Sequence, residues 1–413
     1  MVSNEKGSFK SAIFNLTVLI AGLGYFVDMF DLTLFGVIRV QSLQALGITS
    51  PEDMLKVGID LYNAQMIGMM IGGVVWGILT DKKGRLSIMF ASILLYSFGN
   101  IANAFVTSET AYWWCRLITG FGLAGELGAA ITLVAENLPV ESRGWGTTIV
   151  ATLGLLGAAT AALVGQKLHW QTAYLLGGGM GILLLISRFK LTDSAIFQKA
   201  KQSSQSQMGK WQLLFEPKRF KLYLSCILVG APIYMMTGIL FTFAPEITQN
   251  MGLDTPLTAG NALLAGTLGL TLGDLISGSL SQLMRSRKKV LLIFLSFTFL
   301  LCLLYMSGLI KTTTILTGLC FFIGVGAGYW AVLITTSSEQ FGTNIRGTVA
   351  STVPNFVRGF AVIITLTFKY LKTHFTTQEA VLTLIVCVFA LAYIGLRNLK
   401  ETHGVSLDFY EKD

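Results

Sequence analysis

Acidic and basic residues stand inside stretches of this 413-residue chain that are otherwise apolar, and its chemistry has to be sought there. Asp28 and Asp31 are three residues apart, so on a helix they share one face. A carboxylate inside an apolar span faces a cavity or a partner, and such groups mark ion and proton pathways. Glu126 stands ten residues beyond Arg116 in the same apolar stretch. Glu126 cannot snorkel from mid-span, which makes it a further proton-coupling candidate; Arg116 is nearer the outer end, where a long side chain can reach the surface. Arg116 is therefore open to either a structural or a substrate-binding role. Arg358 lies in Pro354-Asn355-Phe356-Val357-Arg358-Gly359, far from both ends of its stretch. An arginine there costs about 2.5–3.5 kcal/mol to insert. Its paired donors suit a carboxylate or phosphate, so it is the candidate selector of an anionic substrate, with an ion pair to Asp28 or Asp31 as the alternative. Tyr62, Asn63, Gln65, Tyr234, Tyr329, Trp330 and Asn355 are further candidates to line a cavity, each equally compatible with packing. Asp274 is nearer an inner helix end and is expected to support the joint described below.

Other chemistries lack their residues. Cys115, Cys226, Cys302, Cys320 and Cys387 show no metal spacing and sit in apolar segments, where a free thiol acts as a small hydrophobe. Gly324, Gly326 and Gly328 are not followed by the Lys-Ser/Thr of a phosphate loop, so helix packing accounts for them. No metalloprotease, hydrolase-elbow or kinase spacing occurs. The expectation is a protein that is not an enzyme and needs no metal and no cofactor.

The elements that must hold these residues are set by composition. Hydrophobic residues make up 53% and charged residues 13%, about half the charge of a typical soluble domain. Twelve stretches approach the roughly 20 apolar residues that cross a bilayer. They fall at 12–38, 58–80, 86–106, 112–136, 146–166, 172–187, 221–245, 258–281, 289–309, 313–337, 348–369 and 378–396. Helices are required because lipid offers backbone groups no partners, and strand alternation is absent. With both ends cytoplasmic, 22 Lys and Arg fall inside and six outside, and the remaining two are Arg116 and Arg358. That bias fixes the orientation. Because the basic residues lie between spans, the excess of 30 basic over 22 acidic residues points to a membrane and not to nucleic acid. Residues 188–220 are the only long polar interior stretch and divide six spans from six, with a surface helix expected around Trp211–Phe215.

The halves repeat. In Gly72 to Arg85 after the second span and Gly273 to Arg285 after the eighth, the glycines Gly72 and Gly77 match Gly273 and Gly278 at an offset of 201. Glu136 and Arg143 match Glu339 and Arg346 at an offset of 203. On these residues the whole chain resembles the major facilitator superfamily. Gly77, Leu79, Asp81, Gly84 and Arg85 match its G-x-L-x-D-x-x-G-R loop, and Arg116, Gly120 and Gly122 match its R-x-x-x-G-x-G. Asp28-Met-Phe-Asp31 is similar to the acidic D-x-x-D of proton-coupled organic acid and metabolite symporters, and Thr192-Asp193-Ser194 faintly resembles a P-E-S-P element. Two departures stand out: Gln282 replaces the loop acid in the second copy, and the fifth span lacks the antiporter G-P pair.

The resemblance implies an all-α integral membrane protein of twelve helices in two pseudo-symmetric six-helix bundles, at 1–187 and 221–413, joined by a cytoplasmic linker at 188–220. It implies alternating access around a central cavity, with Gly77, Asp81, Gly84, Arg85, Glu136, Arg143, Glu339 and Arg346 forming a conformational latch. By the resemblance Asp31, and by its mid-span position Glu126, would couple protons, with Asp28 tuning them. Substrate-binding candidates are Arg358, Arg116, Tyr62, Gln65, Tyr234, Tyr329, Trp330 and Asn355. The leading function is proton-coupled uptake of a small polar metabolite or organic anion by a monomer in a bacterial inner membrane. An exporter or antiporter of amphiphilic compounds is the rival within transport, and a transporter-like receptor is the rival outside it.

Overall fold

The computed structural model describes residues 15–83, 85–126, 140–187, 214–249 and 251–403. Among them the regular structure is helical, as long apolar segments in lipid require. In chain order the helices are α1 (Leu16–Ala45), α2 (Pro51–Lys83), α3 (Arg85–Asn103), α4 (Glu109–Leu123), α5 (Val140–Lys167) and α6 (Trp170–Ser187). There follow α7 (Pro217–Met235), a π-helical turn at Met236–Phe241, α8 (Ala244–Thr248), α9 (Ala259–Leu283) and α10 (Arg287–Met306). The last are α11 (Thr313–Ala327), α12 (Trp330–Glu339), α13 (Thr343–Leu371) and α14 (Thr377–Asn398). Ten helical segments are long and apolar enough to span a membrane, α11 and α12 counting as one. The apolar part of α3, Ser87–Asn103, is shorter, and α4 leads towards residues 127–139, outside the described part. These two complete the twelve spans expected.

Local chemistry sets the helix starts. Ser108, Thr258 and Ser286 each accept a backbone N–H two or three residues into α4, α9 and α10, and Thr376 with Glu379 forms a full capping box on α14. Three departures from the expected spans have identifiable causes. The tenth span divides at Gly328 and Tyr329 instead of running through 313–337, because Gly328 lies against α9: a Cβ there would meet the Asp274 backbone nitrogen at 2.4 Å. Helix α4 is interrupted by a turn at Ala124 and Gly125, and Glu126, the last described residue before 140, is helical again. After Pro232, α7 passes into the π-turn, where Thr242 N–H reaches the Thr237 carbonyl five residues back. Of the surface helix expected near Trp211–Phe215, Leu214 and Phe215 form a 3₁₀ turn and residues 211–213 lie outside the described part.

Contacts group the chain into two units. The first holds Met1–Phe35 and Ile67–Ser206, and the second holds Gly36–Met66 and Gln207–Asp413. The grouping cuts through α1 and α2, whose facing ends (Gly36–Ala45 and Pro51–Met66) belong to the second unit. In the first unit α3 packs on α4 and α6. In the second, α9 and α11 pack backbone to backbone: a Cβ on Gly269 would fall 1.9 Å from the Phe321 carbonyl oxygen, and one on Gly324 2.0 Å from that of Gly266. Only glycine permits this approach. The residues just after α14 bond to the start of α10 and to the end of α12. The Glu401 carboxylate accepts from Ser286 Oγ and from the N–H groups of Arg287 and Lys288, while Gln340 exchanges two bonds with the Lys400 backbone.

Candidate functional site

In the first unit the chemistry gathers around α1. Asp28 and Asp31 are both buried, at 0% and 1% exposure. Asn100 on α3 donates from Nδ2 to Asp31 Oδ2 at 2.5 Å. Asp31 Oδ1 is buried with no hydrogen-bond partner among the described residues. It points at α6, where a Cβ on Gly177 would come within 2.8 Å of it, so glycine at 177 makes the room that this oxygen occupies. The charges of Arg116 and Asp28 both act on Asp31. Arg116 does not snorkel: it is fully buried, with its guanidinium 4.3 Å from the Phe35 ring centroid, a cation–π arrangement. In the same unit the Tyr112 and Tyr174 hydroxyls are 2.6 Å apart, and the Asn103 amide reaches Thr119 Oγ1 at 3.2 Å. A buried acid, a buried base and their hydrogen-bonding neighbours therefore share one small region of α1, α3, α4 and α6. Glu126 is buried beyond the end of α4.

The second unit holds the other arginine. Arg358 on α13 is fully buried, and its Nε donates to the Tyr234 hydroxyl on α7 at 3.1 Å. The Tyr234 ring meets Trp330, the first residue of α12, edge-on at 6.1 Å. Asn355 is buried one turn before Arg358, and α13 continues as one helix through Pro354. Tyr329 is fully buried and donates to the Val229 carbonyl at 3.0 Å, so it pins α7. From α2, Tyr62 and Gln65 are buried, and the Tyr62 hydroxyl lies where a Cβ on Gly238 of the π-turn would be, 2.5 Å away. Asn63 Oδ1 accepts from Thr365 on α13.

Of the latch residues, Gly77 has open space around it, while Gly84, Glu136 and the side chains of Asp81, Arg85 and Arg143 lie outside the described residues. In the second half Glu339 takes both arms of Arg287, at 2.7 and 2.8 Å. Arg346 Nε donates to the Ser338 and Phe341 carbonyls. Asp274 is not drawn into this pair; its Oδ1 accepts from the Ala331 N–H at 3.2 Å.

Sequence reasoning missed several partners. Asn100 had a signal: Ser97, Asn100 and Asn103 recur at every third position of an apolar stretch, and all three are buried. Arg39 and Lys369 read as orienting charges at helix ends. In the structure Arg39 is fully buried and paired with Glu246 at 2.6 Å, and Lys369 pairs with Asp60 at 2.8 Å. These partners lie 207 and 309 positions apart, beyond any local pattern.

Comparison with known proteins gives the family and the fold. The chain is 26% identical over 401 residues to a protein designated a niacin/nicotinamide transporter, NiaP, of Bacillus subtilis, covering 94% of this chain and 96% of that one. It is 27% identical over 298 residues to the 3-(3-hydroxy-phenyl)propionate transporter of Escherichia coli, covering 71% of each. The crystal structure of a D-xylose-proton symporter shares the fold at a TM-score of 0.73 and 17% identity, over 97% of this chain and 100% of that one. The model of the Major Facilitator Superfamily matches residues 21–366, and the chain therefore belongs to that superfamily, as a multi-pass membrane transporter and not an enzyme.

Proposed function

We propose that this transporter takes up a small organic anion, an aromatic carboxylate by preference, together with a proton, from outside a bacterial inner membrane. The observation that carries the reading is the Asp31 carboxylate: fully buried, bonded to Asn100 through one oxygen, and holding the other without a hydrogen-bond partner among the described residues, against Gly177. Such an oxygen is a site for a proton that must come and go, and the nearby Arg116 charge offers the deprotonated form a counter-ion. Proton coupling is further supported by the likeness in fold to a D-xylose-proton symporter. The anion preference rests on Arg358, whose guanidinium is buried beside Tyr234 and, through it, Trp330. A guanidinium beside two aromatic rings suits a planar acid. The similarity to niacin and hydroxyphenylpropionate transporters supports the same class. Asp28 and Glu126 tune the proton site, Tyr62, Gln65 and Asn355 contribute polar contacts to substrate, and Asp81, Arg85, Glu136, Arg143, Glu339 and Arg346 latch the halves. Both termini are cytoplasmic, and a monomer suffices.

The test is uptake of labelled nicotinate into proteoliposomes. A proton gradient directed with the substrate should drive accumulation. Asp31→Asn should abolish that accumulation and spare counterflow exchange, which moves no net proton. Accumulation by the Asn variant equal to wild type would remove Asp31 from coupling, and accumulation by wild type indifferent to the gradient would remove proton symport.

A further inference from the structure

Helix α12 begins partway through the tenth span, so its first N–H groups need partners away from the span's ends. A helix leaves its first four N–H groups without intrahelical partners, and in lipid that is costly. The residue at the cap position, Tyr329, offers no side-chain bond to them, since its hydroxyl goes to Val229. The acceptor comes from another helix. Asp274 on α9 takes the Ala331 N–H at 3.2 Å, and the Trp330 N–H bonds to the same side chain. Gly328 makes this possible, because its missing Cβ lets the α11–α12 break lie directly on the α9 backbone at Gly273 and Asp274. The residue placed by this cap is Trp330, whose indole packs on Tyr234, the ring that Arg358 bonds.

We propose that Asp274 is a positioning residue for substrate: by capping the interrupted tenth span from α9 it fixes the Trp330 indole beside Tyr234 and Arg358. The inference rests on the reading of Arg358, Tyr234 and Trp330 as the carboxylate site. In this role Asp274 does not itself touch substrate; what it supplies is an acceptor at a fixed place. An asparagine keeps a side-chain oxygen at that place and caps helices as well as aspartate does, whereas alanine supplies none. The charge is therefore dispensable and the acceptor is not.

The experiment compares full-length wild type, Asp274→Asn and Asp274→Ala by amide hydrogen exchange over residues 330–332 and by nicotinate affinity. Asp274→Gln, which moves the acceptor by one methylene, replaces the alanine variant if that is not recovered folded. Loss of the acceptor should speed exchange at these amides and weaken nicotinate binding by about tenfold each, the scale of a lost helix cap. The asparagine variant should stay within about twofold of wild type in both. Unchanged exchange in the alanine variant, faster exchange with unchanged affinity, or an asparagine variant as impaired as alanine would each overturn the proposal. If wild type itself fails to bind nicotinate, the reading of the site falls, and the exchange comparison still decides whether Asp274 caps α12.

Discussion

Glu246→Gln removes one charge from a pair whose other member is fully buried. Arg39 is 0% exposed and Glu246 12%, and their 2.6 Å contact joins α1 to α8 within the second unit. Taking one partner from a buried pair costs about 3–5 kcal/mol, mostly because the remaining charge is stranded. Here the guanidinium keeps the Met54 carbonyl at 3.2 Å, the Thr242 carbonyl at 3.3 Å and the Phe243 ring at 4.5 Å. Those contacts and the residual exposure of Glu246 reduce the loss to about 2–3 kcal/mol. For a unit of this size that corresponds to a fall in apparent Tm of roughly 4–12 °C. The assay is thermal unfolding of purified protein in detergent for Glu246→Gln, Arg39→Met and the double variant. The double variant, with no stranded charge, should melt above Glu246→Gln alone. A single variant within about 1 °C of wild type, or a double variant that loses the sum of the two singles, would refute the reasoning.

Arg358→Lys keeps the charge and loses the paired donors and the bond to Tyr234, so nicotinate affinity should fall by about tenfold while folding is retained; an unchanged dissociation constant in a binding titration would end the case for anion selection. For Glu401, partial burial pushes its carboxyl up, but bonds from Ser286 Oγ and from the N–H groups of His403, Arg287 and Lys288 outweigh that and bring it from 4.5 to about 2. Since the folded value is the lower one, the stabilisation is complete above 4.5 and is lost as pH falls through about 2. The melting difference between wild type and Glu401→Gln should therefore be constant from neutral pH down to 4.5 and vanish near 2. A cysteine at position 205 should resist a membrane-impermeant thiol reagent in intact cells, and labelling there would reverse the assigned orientation.

Span number was legible because crossing a bilayer imposes a length and an apolar composition that each helix must meet alone. The buried acids and arginines were legible for the same reason: Asp31, Arg116 and Arg358 are conspicuous wherever apolar residues surround them. What could not be read depends on contacts between helices. The division of the tenth span follows from Gly328 meeting Gly273, 55 positions earlier, and glycines in a membrane helix do not announce which of them will break it. Arg39 and Lys369 have the same composition cues as any charge near a helix end, and only the fold supplies Glu246 and Asp60. The second loop motif shows the same dependence on distant residues. Gln282 replaces its acid, but the carboxylate at the start of α10 comes from Glu401, far downstream.

That distance sets an order of events during synthesis. Glu401 is made 115 residues after Ser286, whose hydroxyl it binds. At about 5–20 residues per second, α10 must wait on the order of 6–23 s after its start leaves the ribosome before its permanent cap exists. Through that interval Ser286 Oγ serves only the Lys289 N–H, and the N–H groups of Arg287 and Lys288 rely on water at the membrane surface. A ribosome stalled between α10 and the end of α14 would hold an inserted but unfastened second half, exposed to membrane proteases for as long as the stall lasts.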